Sequence, residues 1–259
     1  MATTHTATTQ DSVARVITIR KVSPGAPLDW LKKGYVDYKK SFLPSMLYGL
    51  IFAVVGMAVI FLASKNPIFS MAFISAFFLV GPFIAVGLYH LSWQIEEGEK
   101  PCLLDSVVHI KSNLLNLGLF IVILGFLMMI WMRIAALIAG VYFGNLELIT
   151  QGVSAIFSME FSLEFVAFFT FFGFFIAQLA FSISVVAIPM IIHRKVDVIT
   201  AIITSLRVVM KNPIAMLVWA IIIVAMINLG FILFFLGLAV TLPIIGHASW
   251  HAYRATVDD

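Results

Sequence analysis

Two histidines near the end of the chain have a spacing that could bind a metal or a haem. His247 and His251 are four residues apart, so a helix places both on one face. Imidazole is a common metal ligand, and haem ligands come from helices in membrane proteins as well. Interfacial histidines also bind the free carbonyls at helix ends. Because no paired haem ligands can be identified at mid-depth of a span, we expect no cofactor, with haem or metal at these two positions as the alternative.

A second candidate for chemistry is Arg133, which lies inside a long apolar run. A charge near the membrane centre costs at least about 2.5 kcal/mol on insertion scales. Arg133 therefore either faces the helix bundle with a polar partner or extends to the outer lipid headgroups, and the sequence does not separate these two interpretations. The candidate partners are Glu147, Glu160, Glu164 and Gln178.

The composition identifies the class of protein that must position these residues. Of 259 residues, 62% are apolar and 11% are charged, and the mean hydropathy is +1.07. A soluble domain is closer to half apolar and a quarter charged, so a soluble enzyme and a disordered regulator are excluded. The single cysteine, Cys102, excludes a disulfide scaffold. The net charge of +3 is attributed to membrane topology, so we expect no nucleic-acid partner.

Long apolar runs predict an all-α integral membrane protein with six transmembrane helices, because about 20 residues cross a bilayer core. The first four predicted spans are 42–64, 67–93, 114–143 and 163–192. The last run, 213–250, is too long for one crossing, and we place a turn near Asn228-Leu229-Gly230. Apart from Arg133, nearly all lysines and arginines fall on the side of the two termini and only Lys65 on the opposite side. This bias predicts a bacterial inner-membrane protein with both termini in the cytoplasm.

An amphipathic segment precedes each odd-numbered span and indicates an internal repeat. In each segment four apolar residues follow the spacing +4, +3, +4, with a base three residues before the last of them. We expect these segments to lie in the inner interface, with their bases near anionic headgroups. A proline lies near the cytoplasmic end of each even-numbered span: Pro82, Pro189 and Pro243. The predicted organisation is a mobile tail, 1–27, and a membrane domain, 28–259, with repeats 28–100, 101–196 and 197–259. The apolar positions are Leu31, Tyr35, Tyr38 and Phe42, then Leu103, Val107, Ile110 and Leu114, then Ile199, Ile203, Leu206 and Met210.

The sequence contains little that points to catalysis or coupled transport. No Asp or Glu lies inside a predicted span, which disfavours a proton-coupled or cation-coupled transporter. No nucleophile–base pair, phosphate-binding loop or zinc-protease motif is identified, so we expect no enzymatic activity.

Three segments resemble a bacterial family of predicted integral membrane proteins of unknown function. They are WLKKGYVDYKKSFLPSMLYGL (30–50), GPFIAVGLYHLSWQIEEGE (81–99) and PIIGHASWHAYR (243–254). The chain departs from the family pattern at His90, where an acid is typical, and at Trp93, where a base is typical. Some members carry the label of a cytochrome c oxidase subunit, which we interpret as a transferred name because this chain lacks the histidine sets of a haem–copper centre. The positions that match the pattern are Gly81, Pro82, Tyr89, Glu96, Gly98, His247, His251, Tyr253 and Arg254.

The resemblance implies that the cytoplasmic rim is the functional part of the molecule. We expect an accessory, assembly, scaffolding or envelope-maintenance factor that contacts the lipid bilayer and other membrane proteins, such as a respiratory complex. Glu96, His251 and Arg254 are the expected polar contacts. Two alternatives remain open: a channel or transporter for a small anionic or lipidic solute, with Arg133 as its selectivity element, and a haem-binding accessory of a respiratory oxidase. His90 and His193 could join His247 and His251 at the same inner rim.

Overall fold

The structure, a computed structural model, describes residues 17–65, 70–110, 113–143, 162–232 and 235–258. Within these ranges the chain forms ten helices, which confirms the all-α class. They are α1 Ala26–Lys40, α2 Phe42–Lys65, α3 Ser70–Glu96, α4 Leu103–Ile110, α5 Leu114–Phe143, α6 Leu163–Ser184, α7 Ala187–His193, α8 Val198–Lys211, α9 Pro213–Ile232 and α10 Leu238–Thr256.

Four segments of the described chain are long and apolar enough to cross a membrane. They are Phe42–Leu62, Leu114–Tyr142, Leu163–His193 and Pro213–Ile232. These correspond to four of the six predicted spans. The other two predicted spans correspond to α3, with 27 residues, and α10, with 19 residues. An integral membrane protein with several apolar helices is therefore established.

The predicted turn at Asn228-Leu229-Gly230 is wrong, because α9 continues to Ile232 and α10 begins only at Leu238. The Asn228 amide donates to the Val224 carbonyl at 2.8 Å, so the helix accommodates this polar residue. Gly230 serves helix packing, since a methyl group on its Cα would lie 2.4 Å from Leu238 Cδ2. Polarity and glycine at these positions thus reflect contacts within and between helices.

The predicted fourth span is interrupted between α6 and α7. Pro189 lies in the first turn of α7 and has no N–H to donate to the preceding turn. Ser205 of α8 compensates at this break: its Oγ donates to the Ser182 carbonyl at 2.7 Å and accepts from the Val186 N–H at 3.4 Å. In a membrane, freed backbone groups need such partners because lipid supplies none.

The last helix, α10, lies at the centre of the packed core, and most of its residues are buried. Glycines allow its neighbours to approach closely. A methyl group at Gly34 of α1 would lie 2.5 Å from the Ala248 nitrogen, and one at Gly49 of α2 would lie 2.3 Å from the Ala239 carbonyl oxygen. That carbonyl is the one to which Pro243 cannot donate, because proline lacks an N–H. The glycines of α1 and α2 thus let these two helices pack closely against α10, and the Gly49 contact falls at the carbonyl that Pro243 leaves without its helical donor.

The two ends of the described chain lie on the same face of the molecule. Ile19 pairs with Val257 in an antiparallel bridge, with the Arg20 N–H donating to the Thr256 carbonyl at 2.8 Å. The Arg20 guanidinium also binds Asp258 at 2.7 Å. Of the predicted tail 1–27, residues 1–16 lie outside the described residues, while Ile19 and Arg20 make these contacts.

Candidate functional site

Six polar side chains from four helices form a hydrogen-bonded cluster beside α10, which we call the polar network. It lies where α1 crosses α10 and where the start of α2 and the end of α3 meet it. Most of its members are buried, and Ser45 and His247 are fully enclosed. The members are Asp37 of α1, Ser41 at the α1–α2 junction, Ser45 of α2, Ser92 of α3, and His247 and His251 of α10.

His247 occupies the centre of the polar network and uses both ring nitrogens. Its Nδ1 lies 2.7 Å from Ser92 Oγ, and its Nε2 lies 2.8 Å from Ser45 Oγ. Ser41 Oγ is 3.4 Å from Nε2 and 2.8 Å from Ser45 Oγ. The imidazole is thus held between α2 and α3 by two serines.

Asp37 terminates the network on α1. Its Oδ2 accepts from Ser92 Oγ at 2.9 Å and from His251 Nε2 at 2.7 Å. The Asp37 residue is 5% exposed, whereas the His251 side chain is 20% exposed. His251 therefore lies between the buried carboxylate and the surroundings. A buried carboxylate persists only when donors of this kind compensate for its lost hydration.

Glu96 joins α3 to α10 at the rim. Its two carboxylate oxygens accept separately, from Trp250 Nε1 at 2.8 Å and from Arg254 Nε at 3.0 Å. Glu96, His251 and Arg254, which the sequence suggested as contacts for a partner, are therefore engaged with residues of the same chain.

A second rim cluster surrounds Tyr253, which is fully buried. Its hydroxyl lies 2.9 Å from His193 Nδ1 and accepts from Arg194 Nε at 2.9 Å. The Arg194 guanidinium also donates to the Asp258 carbonyl. This cluster ties the end of α7 to the end of α10.

Aromatic rings bring His193 near the other half of the rim. The His193 ring centroid lies 5.2 Å from that of Trp250 and 6.1 Å from that of Trp93, which in turn lies 5.1 Å from His90. The structure thus gathers His90 and His193 at one rim, and His247 and His251 in the adjacent polar network.

Three further candidate positions, Gly81, Tyr89 and Pro243, have packing roles. Gly81 faces Phe52 of α2, with 4.0 Å between a methyl group at Gly81 and the Phe52 ring. Tyr89 is buried and hydrogen-bonds Ser249. Pro243 is buried within α10. The side chain of Pro82 lies outside the described residues.

Arg133 is exposed on α5, a helix at the periphery of the bundle. Two of its predicted partners, Glu147 and Glu160, lie outside the described residues. A third, Gln178, donates to Ser182 at 3.3 Å. The exposure of Arg133 fits the interpretation that its side chain extends along the lipid-facing surface to the headgroups.

Three of the four ring nitrogens of His247 and His251 are hydrogen-bonded to other residues of the chain. Both ring nitrogens of His247 bind serines, and His251 Nε2 binds Asp37, so an iron would have to displace these hydrogen bonds. Among the described residues, no group of three or more His, Cys, Asp or Glu side chains is placed to hold a metal ion.

The two histidines of the polar network could be identified from the sequence, but its other four members were missed. A signal was present: Asp37, Ser41 and Ser45 follow at intervals of four, which places three polar side chains on one face of a continuous helix. The helices α1 and α2 break at Ser41, yet all three side chains contact histidines of α10. Ser92 had no comparable pattern.

Comparison with protein families finds one similarity over nearly half of the chain. The model of a family described as predicted integral membrane protein (DUF2189) matches residues 70–193. This match confirms the resemblance to an uncharacterised family of multi-span membrane proteins. The matched segment runs from the start of α3 to the end of α7 and includes Ser92 and Glu96. No curated protein and no solved structure matches the chain.

Proposed function

We propose that this chain is a non-catalytic accessory protein of the bacterial inner membrane, a scaffold or assembly factor that works through its cytoplasmic face. The proposal rests on one observation: the serines and the central histidine of the polar network are buried and bind one another. Ser45 is 0% exposed and Ser92 is 1% exposed, and the hydroxyls of both bind His247, which is 0% exposed. A catalytic serine must contact its substrate, whereas these two hydroxyls contact only other members of the polar network. The network therefore holds four chain segments together.

The outward face of α1 supports a role at the membrane surface. Trp30, Gly34 and Asp37 turn inward, which leaves Tyr35 and the neighbouring lysines outside. An exposed face of aromatic, aliphatic and basic side chains suits the headgroup region of an anionic leaflet. The exposed members are Leu28, Lys32, Lys33, Tyr35, Val36, Lys39 and Lys40.

The outward face of α8 has the same character. Ile199, Ile203 and Met210 are exposed together with Arg207, while Ala201 and other small residues pack inward. Each of the short helices α1, α4 and α8 precedes one of α2, α5 and α9, which supports the threefold repeat of a short amphipathic helix followed by two spans.

Antiparallel helix pairs support six crossings. Gly87 of α3 meets Tyr48 of α2, and Gly81 meets Phe52, so α3 returns along α2. The start of α9 and the end of α10 both reach Arg20: Asn212 Nδ2 donates to the Arg20 carbonyl, and the Arg20 N–H donates to Thr256. The hairpin of α9 and α10 thus begins and ends on the face that carries the chain ends. The excess of lysine and arginine on that face supports its cytoplasmic location.

Cysteine accessibility tests this topology. Because Cys102 is the only cysteine, it can be replaced by serine to give a blank background. We expect a membrane-impermeant maleimide to label Cys102 only from the cytoplasmic side of vesicles. A Leu236→Cys variant in the Cys102→Ser background should be labelled only from the opposite side, since Leu236 is exposed in the turn between α9 and α10. Labelling of both positions from the same side would contradict six crossings.

Purification from native membranes tests the accessory role. We expect wild-type protein in a mild detergent to elute with a second membrane protein at a fixed ratio. A Lys32→Glu/Lys33→Glu variant should lose that partner, because both lysines lie exposed on α1. A Lys100→Glu variant, exposed between α3 and α4, is the matched control and should keep it. Elution of the wild type alone, with neither protein nor lipid, would remove the support for this function.

A further inference from the structure

The hydrogen positions in the polar network follow from the carboxylate at one end. An ionised Asp37 only accepts, so Ser92 Oγ, 2.9 Å from Oδ2, donates its single proton to it. Ser92 Oγ must then accept at its 2.7 Å contact with His247, whose proton is therefore on Nδ1. The bare Nε2 of His247 accepts from Ser45 Oγ at 2.8 Å. Every hydroxyl and N–H on this path points toward Asp37.

Ser41 completes the path and can act in either direction. Its Oγ lies 2.8 Å from Ser45 Oγ and also 2.8 Å from the Asp37 backbone carbonyl. With Asp37 ionised, Ser41 donates to Ser45, whose own proton is committed to His247. The backbone carbonyl keeps its bond from the Ser41 N–H at 2.9 Å. The order of donation is then Ser41, Ser45, His247, Ser92, Asp37.

Adding one proton allows the whole path to reverse without losing a hydrogen bond along it. A neutral Asp37 carboxyl donates to Ser92, and Ser92 donates to Nδ1 of His247. The imidazole then carries its proton on Nε2 and donates to Ser45, which donates to Ser41. Ser41 turns to the Asp37 backbone carbonyl, an acceptor already at 2.8 Å. The ionised state holds one proton on each of Ser41, Ser45, His247 and Ser92, and the reversed state holds these and one more on Asp37.

We propose that the polar network is a proton-binding site that takes up one proton at Asp37 and converts that uptake into a change of tautomer at His247. His251 connects this carboxylate to the surroundings, since its side chain is 20% exposed and its Nε2 lies 2.7 Å from Asp37 Oδ2. The proton comes from water, no bond between heavy atoms forms or breaks, and His247 stays neutral in both states. A neutral imidazole avoids the cost of a charged ring at a fully enclosed position.

The other titratable and charged groups near the network are engaged elsewhere. On α3 and α10, Glu96 pairs with Arg254. On α7 and after it, His193 and Arg194 bind Tyr253. On α2, Tyr48 is hydrogen-bonded to Ser106. On α3, Tyr89 is hydrogen-bonded to Ser249, and the His90 ring contacts Trp93. The lysines of α1 point outward, and Trp219 of α9 packs against α1.

Nitrogen NMR of the full chain in nanodiscs, with ¹⁵N-labelled histidine, tests the proposal. The His247 signal is assigned by its loss in His247→Gln. In the wild type we expect the Nδ1–H tautomer when Asp37 is ionised and the Nε2–H tautomer once Asp37 is protonated, as followed by its infrared carboxyl band. A His247 ring that keeps the Nδ1–H form through the Asp37 titration, or becomes doubly protonated with it, would overturn the proposal.

Variants separate this coupling from ordinary titration. Asp37→Asn presents an amide donor to Ser92 and should hold His247 in the Nε2–H form at every pH, while Asp29→Asn, exposed on the same helix, should titrate like the wild type. Ser92→Ala breaks the path, so His247 should no longer follow Asp37. If Asp37→Asn does not fold, the wild-type titration and Ser92→Ala decide the matter, and an unchanged coupling in Ser92→Ala would contradict the proposal.

Discussion

The Gly49→Ala variant should lose about 3 kcal/mol or more of folding free energy. The added carbon would lie 2.3 Å from the Ala239 carbonyl oxygen and 2.7 Å from its carbonyl carbon. These are backbone atoms of the central helix α10, so no side chain can turn aside to relieve the overlap. Overpacking at yielding sites costs about 1–3 kcal/mol, and a rigid site costs more. Reversible unfolding in mixed detergent micelles measures the change.

Gly118→Ala is the matched control for this prediction. Gly118 lies in α5, and a methyl group there would meet nothing within 4 Å. The same substitution should therefore be neutral or stabilise slightly, since alanine is the better helix former by about 1 kcal/mol. Equal stabilities of the two variants would show that α2 does not approach α10 as closely as described.

The second large effect is expected at Ser205, whose hydroxyl bridges the break between α6 and α7. In Ser205→Ala the Ser182 carbonyl and the Val186 N–H lose their shared partner, and Ser205 is fully buried. An unpaired buried polar group costs about 1–3 kcal/mol, so we expect a loss of about 2–4 kcal/mol in the free energy of unfolding. Thermal unfolding followed by size-exclusion chromatography measures it.

Ser184→Ala tests the specificity of that effect. The Ser184 hydroxyl donates to the Ala180 carbonyl, one turn earlier in its own helix, at 2.6 Å. That carbonyl keeps its place in the helix when the hydroxyl is removed, so the change should be well below 1 kcal/mol. A Ser205→Ala variant as stable as Ser184→Ala would indicate that the break is satisfied in another way.

The helix content and the membrane class could be predicted from the sequence because both depend on apolar runs. The inward face of each helix could not be predicted in the same way. The apolar residues Tyr35 of α1 and Phe42 at the start of α2 lie outside, while Gly34 and Asp37 of α1 lie inside. In a membrane the surroundings are as apolar as the core, so hydrophobic periodicity does not indicate which face of a helix points inward. Small or polar residues indicate the inward face instead.

The candidate site could be predicted only in part, for a related reason. Residue type and spacing single out His247 and His251, because two histidines four residues apart share a helix face. Their serine and aspartate partners come from α1, α2 and α3, far away along the chain. Only the crossing of α1 over α10, which glycine at position 34 allows, brings Asp37 to His251. Residue spacing along the chain carries no information on a crossing of that kind.

Labelling with a serine-reactive fluorophosphonate in native membranes tests most directly whether the polar network is closed and non-catalytic. Ser45 and Ser92 both lie within hydrogen-bonding distance of His247, so an accessible network would activate one of them as a nucleophile. We predict that mass spectrometry will find neither serine modified under conditions in which a known serine hydrolase in the same membranes is fully labelled. Modification of Ser45 or Ser92 that disappears in His247→Gln would contradict the account and reveal an enzyme.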